Sequence, residues 1–185
     1  MLGYDAPRWH ALLNDLPAAL LLVAVLFDLS AAAWKRESLR WAGIWTLWAG
    51  VIGGWAAVIS GKLAEEAIDH GEAIHAIMER HEQMALLTMI LFTVILGWKM
   101  LRRFAMPAQE EAITRFLGVV GVVGLIWVGS LGGKLVFENA AGIPNERLKA
   151  ELINRGVLTS DTTAPADTSK AGGHQHAPDT PPHEH

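Results

Sequence analysis

Residues 60–84, SGKLAEEAIDHGEAIHAIMERHEQM, place six carboxylates and three imidazoles between two long apolar runs. The runs on either side cover residues 41–60 and 84–101. Each is close to the roughly 20 residues that a helix needs to cross a bilayer. The pattern therefore predicts two membrane-spanning helices that run in opposite directions and are joined by a polar connection.

Two further apolar runs, residues 16–34 and 116–137, bring the number of predicted spans to four. We therefore predict an all-α, integral membrane antiparallel four-helix bundle within residues 1–142. Pro17 is expected in the first turn of the first span, with Asn14 or Asp15 as its cap. The acidic residues before this span and Lys35-Arg36 after it favour a retained helix over a cleaved signal peptide.

Glycines recur on one face of the second run and on one face of the fourth. Small residues in a stripe let a neighbouring helix approach closely in lipid, so these two spans are predicted to be the close-packed elements of the bundle. Their faces also offer contacts for self-association or for other membrane subunits. The glycines are Gly43, Gly50, Gly54 and Gly61 in the second run and Gly118, Gly121, Gly129 and Gly132 in the fourth.

Two segments follow the predicted bundle. Residues 143–158 are expected to form a short amphipathic helix, capped by Asn145 and ended by Gly156, on the membrane surface or on a partner. Residues 159–185 are rich in Thr, Ser, Pro, Asp, Gly, Ala and His and are predicted to be disordered. Spaced histidines in this tail suggest capture of Cu(II), Zn(II) or Ni(II). They are His174, His176, His183 and His185.

The distribution of charge predicts the orientation of the spans. Basic residues fall mainly in the first and third connections, at positions 35–40 and 99–115, whereas the second connection is acidic. The positive-inside rule places the basic connections in the cytoplasm. Both termini and residues 60–84 then face the periplasmic side of a bacterial inner membrane. With no Cys, thiolate metal sites and haem attachment through Cys-x-x-Cys-His are excluded. No basic stripe suggests nucleic acid.

This topology brings ionisable residues from all four helices to one side of the membrane, where they form either a functional site or a solvated surface. His81 shares a helix face with Thr88 and Phe92, so its ring is expected to enter the bundle, whereas His75 is expected to face water. The candidate cofactor ligands are His10, His70 and His81. The candidate metal ligands are Glu66, His70 and His81, and the other polar candidates are Asp15, Asp28 and Lys134.

Two polar patterns have alternative interpretations. Asp28 lies inside the first span, where a carboxylate is either part of a proton path or paired with a cation such as Arg40. Glu72-Ala-Ile-His75 has the Glu-x-x-His spacing of di-iron bundles. Such sites need two of these motifs, and the sequence contains one.

Several short motifs resemble a family of bacterial membrane proteins, domain of unknown function 2231. They are residues 10–17 (HALLNDLP), Ser60-Gly61, His81 at the start of the third span and residues 132–137 (GGKLVF). The resemblance covers about residues 8–142. It implies the four-helix topology and carries over no activity.

Three functions fit the pattern. The first is a redox-associated membrane subunit that holds b-type haem or contacts quinone, with His10 and His81, or His70 and His81, as paired ligands. The second is a periplasmic metal-binding membrane protein, with the tail as a recruiting arm. The third is a non-catalytic structural or assembly subunit of a membrane complex. An independent enzyme is less favoured, because neither a nucleophile motif nor a phosphate-binding loop is present.

Overall fold

The structure, a computed structural model, describes residues 6–67 and 72–158, with all their side chains except those of residues 72 and 73. Helices α1 to α4 cover Ala6–Trp34, Glu37–Glu66, Glu72–Leu101 and Ala108–Gly133. A π-helical turn, Lys134–Glu138, continues α4, and α5 covers Asn145–Asn154. The first four helices are long and apolar enough to cross a membrane. The predicted all-α four-helix bundle is confirmed.

The helices extend well beyond the apolar runs. Helix α1 begins at Ala6, so Pro17 lies buried inside the helix, and the prediction that it occupies the first turn is wrong. Its first turn instead contains Pro7. Polar residues do not end a helix unless they offer the backbone another hydrogen-bond partner. For this reason the turns that carry His10 and His81 are helical although they lie outside the predicted spans.

The four long helices pack side by side, with α1 and α3 on opposite corners. Each of these two helices contacts both α2 and α4. Along α2, Gly43, Gly50 and Gly61 lie against Phe27, Leu21 and His10 in turn, which shows that α1 and α2 are antiparallel. The middle of the bundle holds an apolar core. Its buried members are Leu21, Ala24, Val25, Leu47, Val51, Met89, Phe92, Ile95 and Leu96.

Glycines allow the closest helix contacts. A Cβ atom on Gly50 would lie 2.7 Å from Leu21 Cδ2, and one on Gly121 would lie 2.7 Å from Phe92 Cζ. The predicted close packing of the second and fourth spans therefore occurs against α1 and α3. Gly129 differs from the prediction, because among the described residues no atom beyond its own helical turn lies within 4 Å of the position its Cβ would take.

Within the described residues, 144–158 form a separate unit. Helix α5 has Pro144 at its N-cap, so the prediction that Asn145 caps it is wrong. An ion pair of 2.7 Å joins Glu151 to Arg155 along the helix. Gly156 follows with φ of 71°, a left-handed conformation that glycine adopts readily and that ends the helix.

Candidate functional site

The two predicted ligands His10 and His81 meet inside one end of the bundle, which we call the histidine end. Their ring centroids are 6.4 Å apart, and their planes are nearly perpendicular at 88°. His10 comes from α1 and His81 from α3, so the contact joins two helices that lie on opposite corners. Both residues are partly buried.

Helix α2 fixes the ring of His10. Its Nδ1–H donates a hydrogen bond to the carbonyl oxygen of Ala57 at 3.0 Å, and Ser60 Oγ lies 3.2 Å from the same nitrogen. The Ser60 hydroxyl is buried and donates to the same carbonyl at 2.9 Å. Because a carbonyl oxygen only accepts, the contact with Ala57 assigns the proton to Nδ1.

Helix α4 fixes the ring of His81 in the same way. Its Nδ1–H donates to the carbonyl oxygen of Val128 at 3.1 Å. Each imidazole is therefore oriented by the backbone of a neighbouring helix, His10 by α2 and His81 by α4. Within residues 6–67 and 72–158, neither Nε2 atom has a hydrogen-bond partner, so each retains its lone pair.

A glycine faces each ring. A Cβ atom on Gly61 would lie 3.1 Å from His10 Cε1, and one on Gly132 would lie 3.3 Å from His81 Cε1. Both distances are tighter than an ordinary van der Waals contact. The two glycines thus leave room for the rings where a larger residue would push them aside.

The other predicted members of this site do not join the pair. Asp15, Glu66 and Lys134 are exposed. An ion pair of 2.7 Å joins Lys62 of α2 to Glu82 of α3. His75 is exposed, as predicted. His70 and the tail histidines lie outside the described residues.

The opposite end of the bundle, which we call the arginine end, contains a second polar contact between α1 and α3. Asp28 accepts a hydrogen bond from Lys99 Nζ at 3.0 Å, and 22% and 11% of the two side chains are exposed. The prediction that Arg40 is the partner of Asp28 is wrong, because Arg40 Nε lies 3.9 Å from Glu111 instead. Lys99 reaches the carboxylate because the diagonal helices bring residues 71 positions apart together.

The α3–α4 turn closes the arginine end on one side. Arg102 forms a two-point ion pair with Glu110, whose Oε2 also accepts from Trp98 Nε1 at 3.0 Å. The hydrogen bond from Arg102, aided by the opposite charge, raises the pKa of its guanidinium. The ion pair therefore joins the two ends of the α3–α4 turn, residues 102–107.

Sequence reasoning missed the groups that orient the two rings. The carbonyl acceptors of Ala57 and Val128 are backbone atoms, which leave no signal in residue identity. The glycines beside the rings did leave one, since Ser60-Gly61 and Gly132-Gly133 occur in the motifs quoted above. Their position beside the rings of His10 and His81 can be recognised only once the helix register is known.

Comparison with known proteins identifies the family. The model of a family described as predicted membrane protein (DUF2231) matches residues 8–145. No curated protein and no solved structure matches the chain. The chain belongs to the DUF2231 family of predicted membrane proteins, and the matched residues include both histidines and both glycines of the pair.

Proposed function

We propose that this DUF2231 membrane protein is a redox-associated subunit that binds b-type haem, which His10 and His81 would hold. The observation that carries the proposal is the pair of imidazoles from opposite helices, 6.4 Å apart between centroids. Two imidazoles on opposite sides of one metal, each bound through nitrogen at about 2.0–2.1 Å, have centroids roughly 6 Å apart. The observed separation supports this arrangement.

The hydrogen bonds of the two rings support metal ligation. Histidines that bind metals usually donate the other ring N–H to a carbonyl or carboxylate, which fixes the tautomer and the ring orientation. His10 and His81 each donate Nδ1–H to a backbone carbonyl. The nitrogen left to bind iron is Nε2 in both rings.

The number of ligands favours haem over a metal site built from the protein alone. A macrocycle supplies four ligands to its iron, so two imidazoles complete the set. Zinc sites take three or four protein ligands. Within the described ranges, no group of three or more His, Cys, Asp and Glu side chains is placed to share one ion.

Bound haem would supply one-electron transfer at the histidine end. The residues around it would hold the rings, through Ala57 and Val128, and keep bulky groups away from them, through Gly61 and Gly132. Basic residues at the arginine end support a cytoplasmic position for that end by the positive-inside rule. The haem would then lie near the periplasmic face of a bacterial inner membrane.

The test is the visible spectrum of the full chain, purified from cells supplied with a haem precursor and recorded oxidised and reduced. We expect a Soret band and reduced α-bands in the wild type. We expect His10→Ala and His81→Ala to lose most of the bound haem, because each removes one of the two side chains that would hold it.

Two control variants separate the site from unspecific haem binding. His75→Ala changes an exposed imidazole on the same helix as His81. A second variant replaces His174, His176, His183 and His185 with Ala and removes all the tail imidazoles. Both should keep the wild-type spectrum. A wild-type preparation that remains colourless after haem reconstitution would exclude the proposal.

A further inference from the structure

A cavity at the arginine end is lined by four cationic side chains and three carboxylates. It has a volume of about 470 Å³ and lies where α1 meets α2 and α4. Four cationic side chains line it: Lys35, Arg36, Arg40 and Arg115. It is independent of the histidine pair, which occupies the other end of the bundle.

The carboxylates of this cavity already have partners. Asp28 pairs with Lys99, and Glu111 accepts from Arg115 Nη2 at 2.6 Å. Glu37 accepts from the indole of Trp41 at 3.3 Å. Among the residues described, Lys35 and Arg36 form no ion pair. The neutral indole leaves the charge of Glu37 in place, and the lining keeps a small net positive charge.

The backbone beside the cavity adds to its positive charge. Helix α2 begins here, without a side-chain hydrogen bond at its N-cap Arg36. The N–H groups of its first turn add partial positive charge.

We propose that this cavity binds the phosphate group of an anionic ligand, either a phospholipid headgroup or free phosphate. Guanidinium groups and N–H donors match phosphate oxygens in charge and geometry. A phospholipid fits because the cavity opens at the end of the bundle where anionic headgroups meet basic residues between helices.

The test compares three ligands on the purified full chain in zwitterionic detergent. Native mass spectrometry measures retention of phosphatidylglycerol and of phosphatidylcholine, and calorimetry measures binding of inorganic phosphate. We expect phosphatidylglycerol, phosphate or both to bind, and phosphatidylcholine to be retained far less. Phosphatidylglycerol alone identifies the headgroup as the source, and inorganic phosphate alone identifies the free ion.

The variant Lys35→Gln/Arg36→Gln tests the site itself. Both residues are exposed, so the substitutions leave helix packing intact. Each lost charge should weaken binding about 5-fold, and the pair about 20-fold. Arg147→Gln/Lys149→Gln removes the same charge from the separate α5 unit and should leave binding unchanged. Equal losses in the two double variants, or equal retention of the two lipids without phosphate binding, would overturn the proposal.

Discussion

At the scale of single residues, the histidine end depends on two glycines more than on any further polar group. Gly61 and Gly132 each face the Cε1 side of an imidazole at a distance where an added methyl group would press on the ring. Hydrogen bonds to the carbonyl oxygens of Ala57 and Val128 restrict the rotation of each ring about its side-chain bonds. A ring held from two sides is pre-organised for a ligand, because little reorientation is needed when the ligand binds.

Gly61→Ala should therefore weaken haem binding while both histidines remain. The new methyl carbon would lie 3.1 Å from His10 Cε1, so the ring has to shift by a few tenths of an ångström. Changes in the groups that orient a metal ligand typically cost 10–100-fold in affinity, and we expect about 10-fold here. Haem titration followed by the Soret band measures it.

Gly133→Ala is the matched control for this prediction. It makes the same change near the histidine end, where no described residue beyond its own helical turn lies within 4 Å of the added carbon. Its affinity should equal that of the wild type. Equal affinities for the two variants would show that Gly61 does not position His10.

At the scale of helices, the sequence predicts the number and order of the elements, because each apolar run corresponds to one helix. It also predicts that His81 enters the bundle, since residues at positions 81, 88 and 92 share one face. The extent of the helices was not predictable from hydropathy, because hydropathy marks the lipid-facing part alone.

The partner of Asp28 was missed for a different reason. Arg40 is near in sequence, whereas Lys99 is near only when α1 and α3 lie on the same diagonal.

The Asp28–Lys99 pair is expected to stabilise this diagonal contact. Asp28→Asn leaves Lys99, only 11% exposed, without its counter-charge. Breaking a buried ion pair typically costs about 3–5 kcal/mol. Because this pair is partly exposed, we expect a loss of about 2–3 kcal/mol in the free energy of unfolding. Denaturant titration in detergent, followed by circular dichroism, measures this loss.

A double variant distinguishes the ion pair from a general disturbance. Asp28→Asn/Lys99→Gln removes both charges and should recover most of the stability lost in Asp28→Asn. Lys62→Gln breaks the exposed contact with Glu82, also between helices, and should change stability much less. A double variant as unstable as the sum of its two single variants would rule out coupling between Asp28 and Lys99.

At the scale of the whole molecule, the diagonal contact between α1 and α3 is polar at both ends of the bundle and apolar between them. The histidine end holds the imidazole pair and the Lys62–Glu82 ion pair, whereas the arginine end holds the Asp28–Lys99 ion pair and the cationic cavity. Phe92 and Leu21, both fully buried, occupy the apolar middle. The two polar ends are therefore separated by an apolar core.

The orientation of these ends is testable because the chain contains no cysteine. Ala67→Cys and Ala105→Cys each introduce one thiol at an exposed position, the first in the connection near the histidine end and the second in the α3–α4 turn. A maleimide that cannot cross the membrane should label Ala67→Cys in intact spheroplasts and should label Ala105→Cys only after lysis. The physical reason is the excess of Lys and Arg at the arginine end, which resists translocation. The reverse labelling pattern would contradict this orientation. It would place the histidine pair on the cytoplasmic side and the cationic cavity on the periplasmic side.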